Sequence, residues 1–288
     1  MHSLNSFEKE NEILFIQREF EKITNHKFDK NYIKDYLIKV ILKIKNENNI
    51  IVSGSQGSGK SSLSILIKKY LEKFHKKSVV IISIDDFYLS QKKRLQLARK
   101  IHPLFLTRGV PGTHDWKMLN QKIKQIRNKE FPVYLPIFDK VTDSRKKSYK
   151  RIAKGDVIIF EGWCVCASSI EKKYLENNIN DLEKYKDSQS IWRNAYNNFL
   201  KNYQKIFLQF NYIIFFQFDR WEHVLNWKYK QELQLREKKK DLKLKNNLNE
   251  FIQFYEKISK WMHLKVPKYC NILIKLDANQ KIKSIKSK

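Results

Sequence analysis

Short, β-branched apolar runs alternate in this chain with longer stretches whose apolar residues recur every three or four positions. The runs fall at 50–53, 78–84, 156–160, 212–216 and 271–275, with the length and continuous hydrophobicity of strands buried on both faces. Over 62–74, Leu63, Leu66, Ile67, Tyr70 and Leu71 share one face of a helix, and Ile33, Leu37, Val40, Ile41 and Ile44 make a similar stripe before the first strand. Strands separated by helices close through right-handed crossovers, so the pattern predicts an α/β fold with a mainly parallel five-stranded sheet covered on both faces. Residues 1–48 read as a helical segment packed on a core domain over 49–288, with an excursion over 88–150 between the second and third strands. A charged helical stretch at about 219–250 directly follows the fourth strand, where a lid over the carboxyl edge of the sheet would begin.

The first strand and first core helix are joined by Gly54-Ser55-Gln56-Gly57-Ser58-Gly59-Lys60-Ser61, a complete G-x-x-x-x-G-K-[ST]. Its flanks supply the strand, loop and helix that the motif requires. Together with Ser62 it predicts the phosphate-binding loop of a three-layer P-loop NTPase fold. Backbone amides turn around the phosphates, Lys60 reaches the β and γ positions, and the Ser61 hydroxyl is placed to ligate Mg²⁺. ATP and Mg²⁺ are the expected cofactors.

Other strand ends carry the remaining chemistry. Asp85 and Asp86 close the second run and Glu161 closes the third, at the edge where open parallel sheets bind ligands. Phosphoryl transfer to an alcohol requires neutralised phosphate charge and a carboxylate that accepts the hydroxyl proton. Asp85 is read as general base; Ser61, Asp85 and Glu161 are read as holding Mg²⁺ or its water. Asp86 is read as orienting the loop beside the acceptor. In the lid, Lys228 and Arg236 are the candidates to bring positive charge onto the transferring group, Arg236 as the catalytic one.

Charge alters this picture less than its size suggests. The formal net charge is +28, from 58 Lys and Arg against 30 Asp and Glu, but 10 of the 58 are Arg and the lysines are spread among Asn and Ile. Arg supplies the bidentate contacts of nucleic-acid recognition, so the excess reads as a solvated surface and a nucleic-acid partner is not expected. No apolar run approaches the roughly 20 residues that span a bilayer. The polar, acidic start is unlike a signal peptide, so the expectation is a soluble, cytoplasmic protein without a membrane partner. Three cysteines, two of them at Cys164 and Cys166, fit neither a disulfide framework nor a zinc pair.

Asp85-Asp86-Phe87-Tyr88 and Glu161-Gly162 resemble the P-loop small-molecule kinases that include uridine kinase, pantothenate kinase and phosphoribulokinase. The stretches 108–115 (Arg-Gly-Val-Pro-Gly-Thr-His-Asp), 135–140 (Leu-Pro-Ile-Phe-Asp-Lys) and 161–165 (Glu-Gly-Trp-Cys-Val) narrow the resemblance to the plant-type D-glycerate 3-kinases and their fungal relatives. It continues through Trp192, Arg193, Asn197, Trp227, Gln231 and Glu232 to Leu276-Asp277-Ala278-Asn279, covering roughly 45–285. What it implies is ATP-dependent phosphorylation of the 3-hydroxyl of D-glycerate. Asp86, Tyr88, Arg108, His114, Asp115 and Lys140 are the implied substrate contacts, since a carboxylate with two hydroxyls needs a cation plus donors and acceptors. Arg108 has the alternative of pairing with Asp115. The chain departs from the family pattern at Val110, Ile137, Cys166 and Lys228, where Asn, Arg, Gly and Arg are usual. Two other functions stay open on these residues: a kinase with a uridine-like or pantothenate-like acceptor, and a nucleotide-binding regulatory or RNA-associated protein motivated by the charge.

Overall fold

The computed structural model describes residues 6–235 and 241–288. The described residues contain ten strands: β1 (Asn49–Gly54), β2 (Val79–Ser83), β3 (Val133–Leu135), β4 (Phe138–Asp139), β5 (Ser144–Arg145), β6 (Lys150–Ile152), β7 (Val157–Gly162), β8 (Tyr212–Gln217), β9 (Ile272–Leu276) and β10 (Ile282–Ser287). Six of them form one sheet in the order β10-β9-β8-β1-β7-β2, parallel except for β10. The α/β fold with a mainly parallel sheet is the one that the hydrophobic pattern predicts; the sixth strand is an addition to it. β10 alternates with lysines at the sheet margin and buries only Ile282, so it carries none of the continuous hydrophobicity that marks an inner strand.

Alternation along the strands builds the three layers. Ile50, Val52, Val157, Ile159 and Ile214 face one core with Ile41, Leu66 and Ile67; Ile51, Ile158, Phe160 and Phe215 face another with Leu119, Ile123, Leu200 and Tyr203. Successive side chains of a strand point to opposite faces, so one short apolar run supplies both cores. The N-terminal helix Ser6–Thr24 lies on the first of them, where Ile13 and Ile16 are buried. Tyr70 donates to Glu12 at 3.0 Å and Lys69 to Glu19 at 2.9 Å, tying this helix to Lys60–Phe74.

The excursion between β2 and β7 holds two small antiparallel pairs, β3 with β6 and β4 with β5, that the apolar pattern does not announce. The charged helical stretch expected at about 219–250 holds the helix Trp221–Leu235 and the start of the helix Leu242–Lys265. Asp241 starts the second by accepting a hydrogen bond from the Leu244 amide at 2.9 Å. Among the described residues no helix is long and apolar enough to cross a membrane.

Candidate active site

β1 lies between β7 and β8, so the loop after Gly54 opens at the middle of the carboxyl edge. Close approach explains two of its glycines. A Cβ on Gly54 would lie 2.7 Å from the Phe216 Cβ, and one on Gly57, at φ +70, would lie 2.8 Å from the Trp227 Cβ. No side chain caps the N-terminus of the helix Lys60–Phe74, which leaves its amides and dipole for an anion. The Ser55 and Ser58 hydroxyls and the Gln56 amide are buried without a hydrogen-bond partner among the described residues. Unpaired buried polar atoms are costly, and a phosphate would satisfy them. Ser61 is exposed and Ser62 half-buried in the first helical turn. Lys60 donates to the Ser55 carbonyl at 2.7 Å, and burial pulls its ammonium down to about 8 against the pull of Glu161 and Asp85.

Glu161 sits in β7 in register with Val52 of β1 and Ser83 of β2, which sets its carboxylate beside the loop. Burial raises its pKa, opposed by Lys60. Asp85 follows β2 in the short turn Ile84–Phe87. Burial disfavours its charge, yet Lys140, donating at 2.7 Å, together with Lys60 holds the carboxyl down to about 2. Lys140 is raised in return by Asp85. Lys60, Asp85, Glu161 and Lys140 are thus one group of interacting charges, and Lys228 of the helix Trp221–Leu235 also acts on Lys60.

The acceptor-side residues lie around Asp85 with varied engagements. Tyr88 and His114 form an antiparallel bridge and stack with ring centroids 4.3 Å apart. The Tyr203 hydroxyl accepts from the Gly112 amide at 3.0 Å and forms a 3.0 Å hydrogen bond with His114 Nδ1. The His114 Nε2 is buried without a partner among the described residues. Burial lowers His114 to about 3, which keeps it neutral. Asp86 accepts from the Phe138 amide at 3.1 Å and so holds β4 rather than its own loop. Asp115 caps the helix Trp116–Arg127 by accepting from Met118 at 3.2 Å, with Arg145 3.5 Å away. The alternative pairing of Arg108 with Asp115 is not formed: Arg108 is ion-paired to Asp143 and donates to the Lys140 carbonyl at 3.3 Å.

On the lid side, Lys228 is buried and pairs with Glu232 at 2.7 Å, and Arg236 lies outside the described residues. Trp227 packs on Gly57 and donates to the Ala278 carbonyl at 2.8 Å, while Gln280 donates to the Gly57 carbonyl at 2.5 Å. The segment after β9 therefore braces the phosphate loop from a separate part of the chain. Motif reading missed Gln280, Asp143 and Tyr255, whose hydroxyl donates to the Arg108 carbonyl at 3.1 Å. The similarity at Leu276-Asp277-Ala278-Asn279 is the one signal that pointed to the first of these. Cys166, where Gly is usual, adopts φ +73, a left-handed conformation that suits the glycine.

Residues 49–190 match the model of the phosphoribulokinase / uridine kinase family. The chain is 41% identical over 128 residues to the probable ATP-dependent kinase TDA10 of Saccharomyces cerevisiae, covering 40% of this chain and 44% of that protein. It is 29% identical over 193 residues to the uncharacterized kinase mug58 of Schizosaccharomyces pombe, covering 63% and 68%. The match thus spans less than half the length of the budding-yeast relative. Of solved structures, the YGR205w protein superposes with a TM-score of 0.67 at 25% identity over 90% of this chain and 96% of its own. A D-glycerate 3-kinase from Cryptococcus neoformans superposes at 0.66 with 21% identity over 97% and 98%, a likeness of fold.

Proposed function

We propose that this chain, whose residues 49–190 match the model of the phosphoribulokinase / uridine kinase family, transfers the γ-phosphoryl group of ATP to the 3-hydroxyl of D-glycerate, giving 3-phosphoglycerate. The observation that carries the acceptor class is the cationic segment beside Asp85: Lys140 pairs with Asp85, and Arg108 donates to the Lys140 carbonyl, which suits an acceptor bearing a carboxylate better than a neutral nucleoside. The neutral His114 has a buried Nε2 without a partner among the described residues, a polar atom that an acceptor hydroxyl would satisfy.

The phosphates of ATP would lie in the loop 54–59, satisfying the orphaned Ser55, Gln56 and Ser58 groups, with Lys60 turning from the Ser55 carbonyl to the β and γ positions. Asp85 accepts the hydroxyl proton late in transfer, which a carboxylate of low pKa does once the oxygen is bonding to phosphorus. Ser61, Asp85 and Glu161 are an all-oxygen set of the kind that takes Mg²⁺ with waters and phosphate; when bound there the ion neutralises charge on the transferring group. Lys228 adds positive charge from the lid, and Arg236 is the further candidate by position in the sequence.

The test is conversion of ATP to ADP by purified protein with D-glycerate, L-glycerate, uridine and pantothenate as acceptors. Turnover with D-glycerate well above the others is expected. Preference for uridine or pantothenate would keep the kinase and replace the acceptor.

A further inference from the structure

Lys140 reaches Asp85, Arg108 holds the Lys140 carbonyl, and one carboxylate joins the segments that carry them. Asp143 ends the turn between β4 and β5 at φ +52, a left-handed conformation that Asp tolerates better than most residues. Asp139 shapes the start of the turn by accepting from the Val141 and Thr142 amides at 2.9 and 3.4 Å. Asp143 then takes Arg94 on one carboxylate oxygen and Arg108 on the other, with Gln91 donating at 3.3 Å to the oxygen that Arg94 uses.

The two arginines differ in their surroundings. Arg94 is 1% exposed and anchored by a 2.8 Å bond to the Leu106 carbonyl. A buried guanidinium stripped of its counter-ion is unfavourable, so Asp143 stays with Arg94. Arg108 is the more open arm; it donates to the Lys140 carbonyl, and its guanidinium lies 5.6 Å from the Phe138 ring centroid. The backbone of Lys140 is therefore held by Arg108, Arg108 by Asp143, and Asp143 by a buried arginine, while the Lys140 ammonium rests on Asp85. Two guanidinium groups sharing one carboxylate leave one positive charge.

We propose that Asp143 is a positioning residue of the acceptor site: by coupling Arg94 to Arg108 it sets the turn that places Lys140 against Asp85. It also leaves one net positive charge at Arg108 for an anionic acceptor, a clause that rests on the acceptor reading above, whereas the placement of Lys140 does not.

The full-length chain carrying Asp143→Asn or Asp143→Glu is compared with wild type in two measurements. The first is the rate of acetylation of Lys140 by an activated acetate ester, read by mass spectrometry against exposed Lys147. The ion pair with Asp85 protects Lys140, so Asp143→Asn is expected to speed its labelling severalfold while Asp143→Glu stays near wild type. The second is steady-state kinetics, where Asp143→Asn is expected to raise KM for D-glycerate roughly tenfold with KM for ATP within about twofold. Should Asp143→Asn fail to fold, Arg108→Gln leaves the buried Arg94 pair intact and is expected to expose Lys140 in the same way. Labelling of Lys140 unchanged in a folded Asp143→Asn, or in Arg108→Gln, overturns the proposal. If wild type phosphorylates none of the acceptors, the acceptor reading fails and labelling decides the positioning role alone.

Discussion

Lys140 donates to Asp85 at 2.7 Å across 55 residues of chain, bringing a turn of the excursion onto the carboxylate at the end of β2. The pair is partly open to solvent, with Asp85 28% exposed. It lowers Asp85 from 3.8 to about 2 although burial acts the other way, a preference for the ionised form on the order of 2 kcal/mol. Asp85 is therefore ionised at neutral pH.

Two substitutions separate the parts of that pair. Asp85→Asn is expected to keep ATP affinity within severalfold and lower kcat by roughly 10²-fold or more, the scale of a lost general base. Lys140→Gln removes the largest charge that holds Asp85 down, so its pKa is expected to rise. The base works ionised, so wild-type kcat/KM should be level on the acid side until unfolding, while Lys140→Gln develops an acid limb at higher pH. Superimposable acid limbs in the two pH–rate profiles would contradict this.

Lys60 makes ATP binding dependent on protons. Its ammonium titrates near 8 in the nucleotide-free chain because burial disfavours the charge, and phosphate oxygens favour the charged form. Affinity is therefore expected to be constant below pH about 7 and to fall as pH rises through 8, with proton uptake on binding at pH 8.5. Calorimetry in buffers of different ionisation enthalpy measures that uptake. Lys60→Ala should abolish both the uptake and turnover while leaving the fold, and binding without uptake in wild type would exclude Lys60 as the titrating group.

Gly57 is required by its surroundings rather than by the phosphates alone. Its φ of +70 costs any L side chain on the order of 1–2 kcal/mol. A methyl group there also meets the Trp227 Cβ at 2.8 Å, with the Lys228 amide nitrogen 3.3 Å away. Gly57→Ala should weaken ATP binding at least roughly tenfold and lower the melting temperature by several degrees. Equilibrium binding with a fluorescent ATP analogue and a thermal melt check both; wild-type values in each would show that the lid helix yields.

The net charge of +28 is expected to produce weak binding to duplex DNA or RNA that ignores sequence and falls steeply between about 50 and 200 mM salt. Kinase turnover should not need the nucleic acid. A competition titration at about 150 mM salt distinguishes this from a dedicated groove. Sub-micromolar, competitor-resistant binding with no phosphorylation of any small acceptor would favour the regulatory reading.

The sequence by itself determined what local patterns encode. Continuous apolar runs marked the four inner strands and the edge strand β2 because most of their residues are buried; Gly54 to Ser61 marked the phosphate loop because its chemistry is contiguous; Asp85 and Glu161 stood out because strand ends define the ligand edge. β10 escaped because a lysine-bearing edge strand takes its identity from pairing with β9. Tertiary structure alone decided which ions meet. One lysine among 58 basic residues looks like any other until a turn sets Lys140 on Asp85, and Asp143 gains its place only when the fold brings Arg94 and Arg108 to one carboxylate. Gln280 reaches Gly57 across 223 residues for the same reason. Hydrophobic periodicity is a property of neighbours along the chain, whereas ion pairs and backbone braces depend on distances that only packing creates.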